Sequence, residues 1–173
     1  MTESTHRISW VDELQGVAEN LPLGPMSLYI ILAVVLTLIL YGSQWISGNT
    51  EKYLFTLPLT WTAVWTPLML AMIHILDEIA RRSLTEFRPA SGLEAEVYER
   101  YEHRFATMPF RPVILMHLLG TVIFLGTVWL EPSYSGLISG DLLSDAVVYL
   151  IFWFNMGMLL VSMYHHTRQL EMV

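Results

Sequence analysis

Cysteine is absent from this 173-residue chain. Its absence excludes a disulfide framework, a thiolate zinc site, an iron–sulfur cluster and a cysteine nucleophile together. Charge is scarce as well: 14 % of residues are Asp, Glu, Lys or Arg, where a soluble domain carries about 25 %. A water-soluble surface needs more charge than that, so a soluble globular enzyme is excluded. Lysine is nearly missing, with Lys52 alone against eight arginines, and the net charge is −7. Phosphate recognition needs a basic face, so nucleic acid is excluded as a partner. Nucleophilic and zinc-peptidase chemistry have no signature: there is no G-x-S-x-G elbow, no Gly-rich phosphate loop and no H-E-x-x-H. The paired Glu-x-x-His motifs of a di-iron carboxylate bundle are also lacking. Glu99, Glu102 and His103 fall close together, but one such cluster makes no metal site, and none is expected.

What is present is apolar and comes in long runs. Hydrophobic residues make up 54 % of the chain, and the mean hydropathy is +0.48. Four stretches stand out: 26–46, 54–76, 112–130 and 146–164, each 19–23 residues long. A helix rising about 1.5 Å per residue needs about 20 residues to cross a bilayer core of about 30 Å. The sequence therefore predicts an all-α integral membrane protein, a single membrane domain over 1–173 with four transmembrane helices as two hairpins. The punctuation agrees. Gly24-Pro25 opens the first span, Gly48-Asn49 turns the chain between spans one and two, and Glu131-Pro132-Ser133 closes span three. No short apolar core with a cleavage site precedes Pro22, so the first span is expected to remain in the mature protein.

Arginine sets the expected orientation. Arg81, Arg82, Arg88, Arg100, Arg104 and Arg111 all lie between spans two and three, Arg7 precedes span one and Arg168 follows span four. The positive-inside rule places that middle segment and both termini in the cytoplasm. The expected location is the plasma membrane of a prokaryote.

Two shorter helices are predicted outside the spans. Residues 8–20 read as an acidic N-terminal surface helix, with Trp10, Leu14 and Val17 on one face. Residues 92–108 read as an amphipathic cytoplasmic helix between spans two and three. Ser91 and Glu94 have capping-box spacing at its start, and Leu93, Val97, Tyr101 and Phe105 form a stripe. Residues 165–173 carry no helix stop and read as a helical cytoplasmic tail.

Histidine is the feature closest to chemistry. His74, His117 and His165 all come out at similar depth near the cytoplasmic ends of spans two, three and four. Ionisable residues inside a membrane are costly and call for a function. Two such rings on facing helices can ligate a b-type haem, so these three are the cofactor-ligand candidates. The structural alternative is an interfacial ladder, with His74 beside Asp77 and Glu78 and the acids paired onto Arg81 and Arg82. On that alternative His165 and His166 sit at headgroup level.

Three further features have structural and functional readings. Pro67 should free the carbonyl of Ala63 and kink span two. Trp61 and Trp65 share a helix face that suits a quinone-like ring or plain packing. Gly120, Gly126 and Gly157 suit close helix approach. The intramembrane polar set is too small for an enzyme. The reading that follows is a non-catalytic multi-pass protein with the lipid bilayer and a protein partner or second copy as its partners. It would serve as an accessory subunit of a membrane complex or as a sensory or anchoring module, with no cofactor. The alternatives are a membrane redox subunit binding haem b or quinone, and a small dimeric transporter.

Overall fold

The computed structural model describes residues 9–48, 57–92, 94–130 and 141–171. Those residues form six helices: α1 (Trp10–Glu19), α2 (Pro25–Ile46), α3 (Leu57–Ser91), α4 (Ala95–Ala106), α5 (Phe110–Leu130) and α6 (Leu142–Glu171). Four of them, α2, α3, α5 and α6, are long and apolar enough to cross a bilayer. The chain is accordingly read as an all-helical integral membrane protein.

Two helices outrun their apolar stretches. The second span is predicted to end at Leu76, yet α3 continues to Ser91. Its added turns carry Glu78 and Arg82, whose carboxylate and guanidinium meet at 2.7 Å in the helix-stabilising i,i+4 arrangement. At the other end of the sequence α6 starts at Leu142 instead of Ala146. Asp141 caps it, accepting from the backbone N–H groups of Leu143 and Ser144. The predicted tail is the last part of this same helix, which runs unbroken to Glu171. Residues 172–173 and the expected span positions 54–56 lie outside the described residues.

The capping box expected at the start of the cytoplasmic helix is not formed. Ser91 ends α3 and donates its hydroxyl to the carbonyl of Arg88. Gly92 then turns the chain at φ +63, a left-handed conformation that glycine adopts freely. The next helix starts only at Ala95, with Glu94 as a cap that makes no side-chain bond. Its buried face is Tyr98, Phe105 and Ala106, while Tyr101 of the expected stripe is about half exposed.

A seam between α3 and α6 organises the bundle. Buried positions on α3 include Leu59, Ala63, Thr66, Leu70, Ile73 and Asp77. On α6 they include Val148, Ile151, Asn155, Met158, Ser162, His165 and Gln169. Both sets advance by alternating steps of three and four, the 3.5-residue repeat that keeps two helices in contact over many turns. The helices run parallel, since Thr66 meets Asn155 and, further along both, Asp77 meets His165. From Val148 to Gln169 the seam extends roughly 32 Å, at about 1.5 Å per residue, enough to match a bilayer core.

The remaining spans flank this pair. Helix α2 packs on α3 and α6, and α5 packs mainly on α6. Tyr29 lies against His74, and the Tyr41 hydroxyl bonds that of Thr60 at 2.7 Å, so α2 and α3 run antiparallel. Helix α5 approaches α6 most closely at Gly120, where an added Cβ would come within 2.9 Å of the Gly157 backbone. Gly126 differs from expectation, because an added Cβ there would meet nothing within 4 Å. The α5–α6 contact continues through the Trp153 indole N–H, which donates to the Thr121 hydroxyl at 2.7 Å. Pro67 sits inside α3 without ending it. Just before it, the Asn155 amide donates to the Thr62 carbonyl at 2.8 Å and accepts from the Thr66 hydroxyl at 2.6 Å. Those bonds engage the polar groups of α3 beside the residue that has no N–H to give.

Candidate functional site

At the end of the seam marked by Asp77 and Gln169, five polar side chains from three helices gather, four of them buried and Asp12 half-buried. Helix α1 supplies two of them. Ser9 caps this helix by accepting from the Asp12 N–H at 3.2 Å, and Asn20 closes it by donating to the Gly16 carbonyl at 2.7 Å. Its buried face is Val11, Gln15 and Ala18, whereas Val17 of the expected apolar face is exposed. The rotation has a polar cause: Gln15 turns inward and donates to an Asp77 carboxylate oxygen at 3.3 Å. Asp12 turns toward the junction of α4 and α5, and both its oxygens accept from the Met108 N–H, at 3.1 and 3.2 Å.

Asp77 is the hub. Its other oxygen lies 2.6 Å from Nε2 of His165 and accepts from the Gln169 amide at 2.7 Å. The His165 side chain is 0 % exposed and that of Asp77 is 4 % exposed. A contact of 2.6 Å between a carboxylate oxygen and an imidazole nitrogen needs a proton between them. The hydrogen bond lies in a site with almost no access to water. Gln169 also donates to the Phe105 carbonyl at 3.3 Å, which ties α4 to the cluster. Nearby, the Arg168 guanidinium donates to the carbonyls of Thr107 and Arg104, both at 2.7 Å. One polar cluster therefore fastens α1, α3, α4 and α6, together with the junction that starts α5.

The electrostatics are unbalanced. Two carboxylates share the cluster with one imidazole, and Arg168 faces carbonyls instead. Burial pushes the Asp12 carboxyl above its ordinary range. The Met108 N–H and the Ser9 contacts pull it back, and the Asp77 charge adds a smaller upward push.

The three histidines singled out from the sequence occupy three different settings. His165 is the buried partner of Asp77. Its Nε2 faces a carboxylate, and its Nδ1 is buried without a hydrogen-bond partner. His117 bonds the Val113 carbonyl through Nδ1 at 3.0 Å. Its ring lies between Trp10 and Phe154, with centroids 5.8 and 5.4 Å away, and fills the notch left by Gly157. His74 is half-buried against the Tyr29 ring, 5.9 Å between centroids. The expected ladder is formed only in part. Glu78 pairs with Arg82, but Arg81 reaches Glu19 of α1 at 3.5 Å, and Asp77 turns inward. Among the described residues no group of three or more His, Asp or Glu comes together as a metal-binding set.

Sequence reasoning missed Gln15, Asp77 and Gln169 as members of one site. A signal was present, since Asp77 continues the three-four repeat of Thr66, Leu70 and Ile73, and His165 and Gln169 continue that of Asn155 and Met158. Beside the cluster, α3, α4 and α6 enclose a groove of about 660 Å³ lined by Leu84, Phe87, Tyr101, Phe105 and Leu170 among others. Phe87 is 65 % and Leu170 77 % exposed.

Comparison of the chain with models of known protein families, with curated proteins and with solved structures finds no match.

Proposed function

We propose that this chain is a non-catalytic multi-pass membrane protein that serves as a sensory or anchoring module, or as an accessory subunit, for a partner protein. Its four spans form two hairpins, and its working end is the one that carries α1, α4 and the extended turns of α3 and α6. That end faces the cytoplasm of a prokaryotic plasma membrane, because the arginines between spans two and three gather there. The observation that carries the reading is the parallel α3–α6 seam. It runs without a break from the apolar spans into the charged end, where the polar cluster locks it. Two continuous helices in fixed register transmit position from one side of a membrane to the other.

The partner's point of attachment is the groove between α3, α4 and α6. Leu76, Ala80, Leu84 and Phe87 form a helical row along it, a shape that suits an amphipathic helix laid apolar face down. A photoreactive residue in place of Phe87 or Leu170 tests this in native membranes. The expected result is one discrete adduct with a second protein, lost when Leu84→Glu places a charge in the groove. Adducts with lipid alone, from a protein that purifies as a monodisperse monomer, would contradict the reading.

A further inference from the structure

We propose that α1 is a detachable strap across the bundle, and that protonation of Asp12 tightens it. Three observations carry this. Helix α1 spans ten residues, too few to be stable alone, since isolated helices below about 12–15 residues are marginal in water. Its helicity therefore depends on its seat. The connection to α2 runs through Gly24 at φ +83, a left-handed glycine with open space around it. The seat itself takes the Asp12 carboxylate partly out of water, onto the Met108 N–H and beside a cluster that already holds Asp77.

Among the described residues no cation pairs with Asp12. From α3 it faces Asp77, while Arg81 is drawn off to Glu19 and His74 lies against Tyr29. From α6 come His165, which is bonded to Asp77, and Arg168, which is bonded to carbonyls. From the α4–α5 junction comes the Met108 N–H, and the titratable ring that α5 presents to the strap, His117, lies against Trp10. On α1 itself Glu13 is exposed, and His103 and Arg104 of α4 are exposed too. An uncompensated carboxylate in such a place disfavours the seated state.

The sign follows from linkage. Lifting α1 returns Asp12 to water and to its ordinary acidity. The seated form holds the proton more tightly, because burial raises the group. The stabilisation from protonation is complete below the ordinary carboxyl value of 3.8. It is lost as pH rises through the raised value in the seated form. Mild acid thus favours the seated strap. Each unit by which the seat raises Asp12 multiplies the seated-to-lifted ratio about tenfold across that window.

The cysteine-free chain is suited to the test. Spin labels on Val17→Cys and Leu170→Cys, both exposed positions, report the distance between α1 and α6 in the full chain in lipid nanodiscs. The expected result is a narrow distance distribution at pH 3.5, below the ordinary carboxyl value, and a broadened, longer one at pH 8. In Asp12→Asn the distribution stays narrow at both pH values, because an amide oxygen still accepts from Met108 without a charge. Asp12→Ser, which removes the charge with less bulk, should also be insensitive to pH. A distribution that does not change with pH in the unsubstituted chain overturns the proposal. So does a pH response that survives both substitutions.

Discussion

The two ends of the bundle are held by different forces. At one end Leu40, Leu59, Ala63, Val148 and Ile151 make an apolar core from α2, α3 and α6. At the other, Val11, Leu70, Ile73, Met158 and Val161 surround Gln15, Asp77, His165 and Gln169. Between spans in lipid the hydrophobic drive is weak, so association depends on close packing and on interhelical hydrogen bonds. The apolar end uses mostly the first, with the isolated Tyr41–Thr60 bond between α2 and α3, and the polar end adds the second as a connected, buried cluster. Packing is tolerant of shape, whereas a hydrogen-bonded buried cluster works only when all its members are present. The difference teaches where register is set. Apolar rows can slide by a turn and still pack, but Asp77 can meet His165, Gln15 and Gln169 in one alignment only.

Substitutions can break this contrast, and the largest effect is expected at Asp77. Asp77→Ala leaves three donors without their acceptor and should cost about 3–5 kcal/mol, the usual loss when one partner of a buried pair is removed. Reversible unfolding in mixed micelles measures it, and a loss below about 1 kcal/mol would show that the pair holds nothing. A smaller loss is expected at the close α5–α6 contact. Gly157→Ala would drive a Cβ into the His117 ring. Overpacking of that kind costs about 1–3 kcal/mol, and it should disturb the contact of Trp10 with the same ring, visible in tryptophan fluorescence. Smaller still is a shape-conserving change at the apolar end. Leu59→Met should cost less than about 1.5 kcal/mol, and a cost as large as that of Asp77→Ala would erase the distinction between the ends. The smallest effect is expected at the exposed Glu78–Arg82 pair, where Arg82→Gln should change stability by no more than about 1 kcal/mol.

Much of the fold was legible because a membrane span is a local property. About twenty consecutive apolar residues suffice, and no distant contact is needed to see them. The lengths of α3 and α6 were harder to read. Both continue where hydropathy ends, and what prolongs them is the Glu78–Arg82 pair in α3 and the docking of Arg168 and Gln169 in α6. The polar cluster was hidden for a different reason. Its members come from residues 12–15, 77 and 165–169, and Asp77 stands beside Glu78, Arg81 and Arg82, which offer it plausible local partners. Only the three-four repeat shows that Asp77 faces inward while Glu78 and Arg82 face out. His117 was legible as an unusual intramembrane residue, but its aromatic neighbours Trp10 and Phe154 come from distant segments.

The most direct test of the account is a double-mutant cycle between Asp77 and His165, with each residue changed to Leu singly and then together. The account predicts that the double substitution costs clearly less than the sum of the two single ones, by about 1–3 kcal/mol, because each single change strands a buried polar partner. Additive losses, equal within about 0.5 kcal/mol, would mean that the two side chains do not act as a pair and would contradict the account.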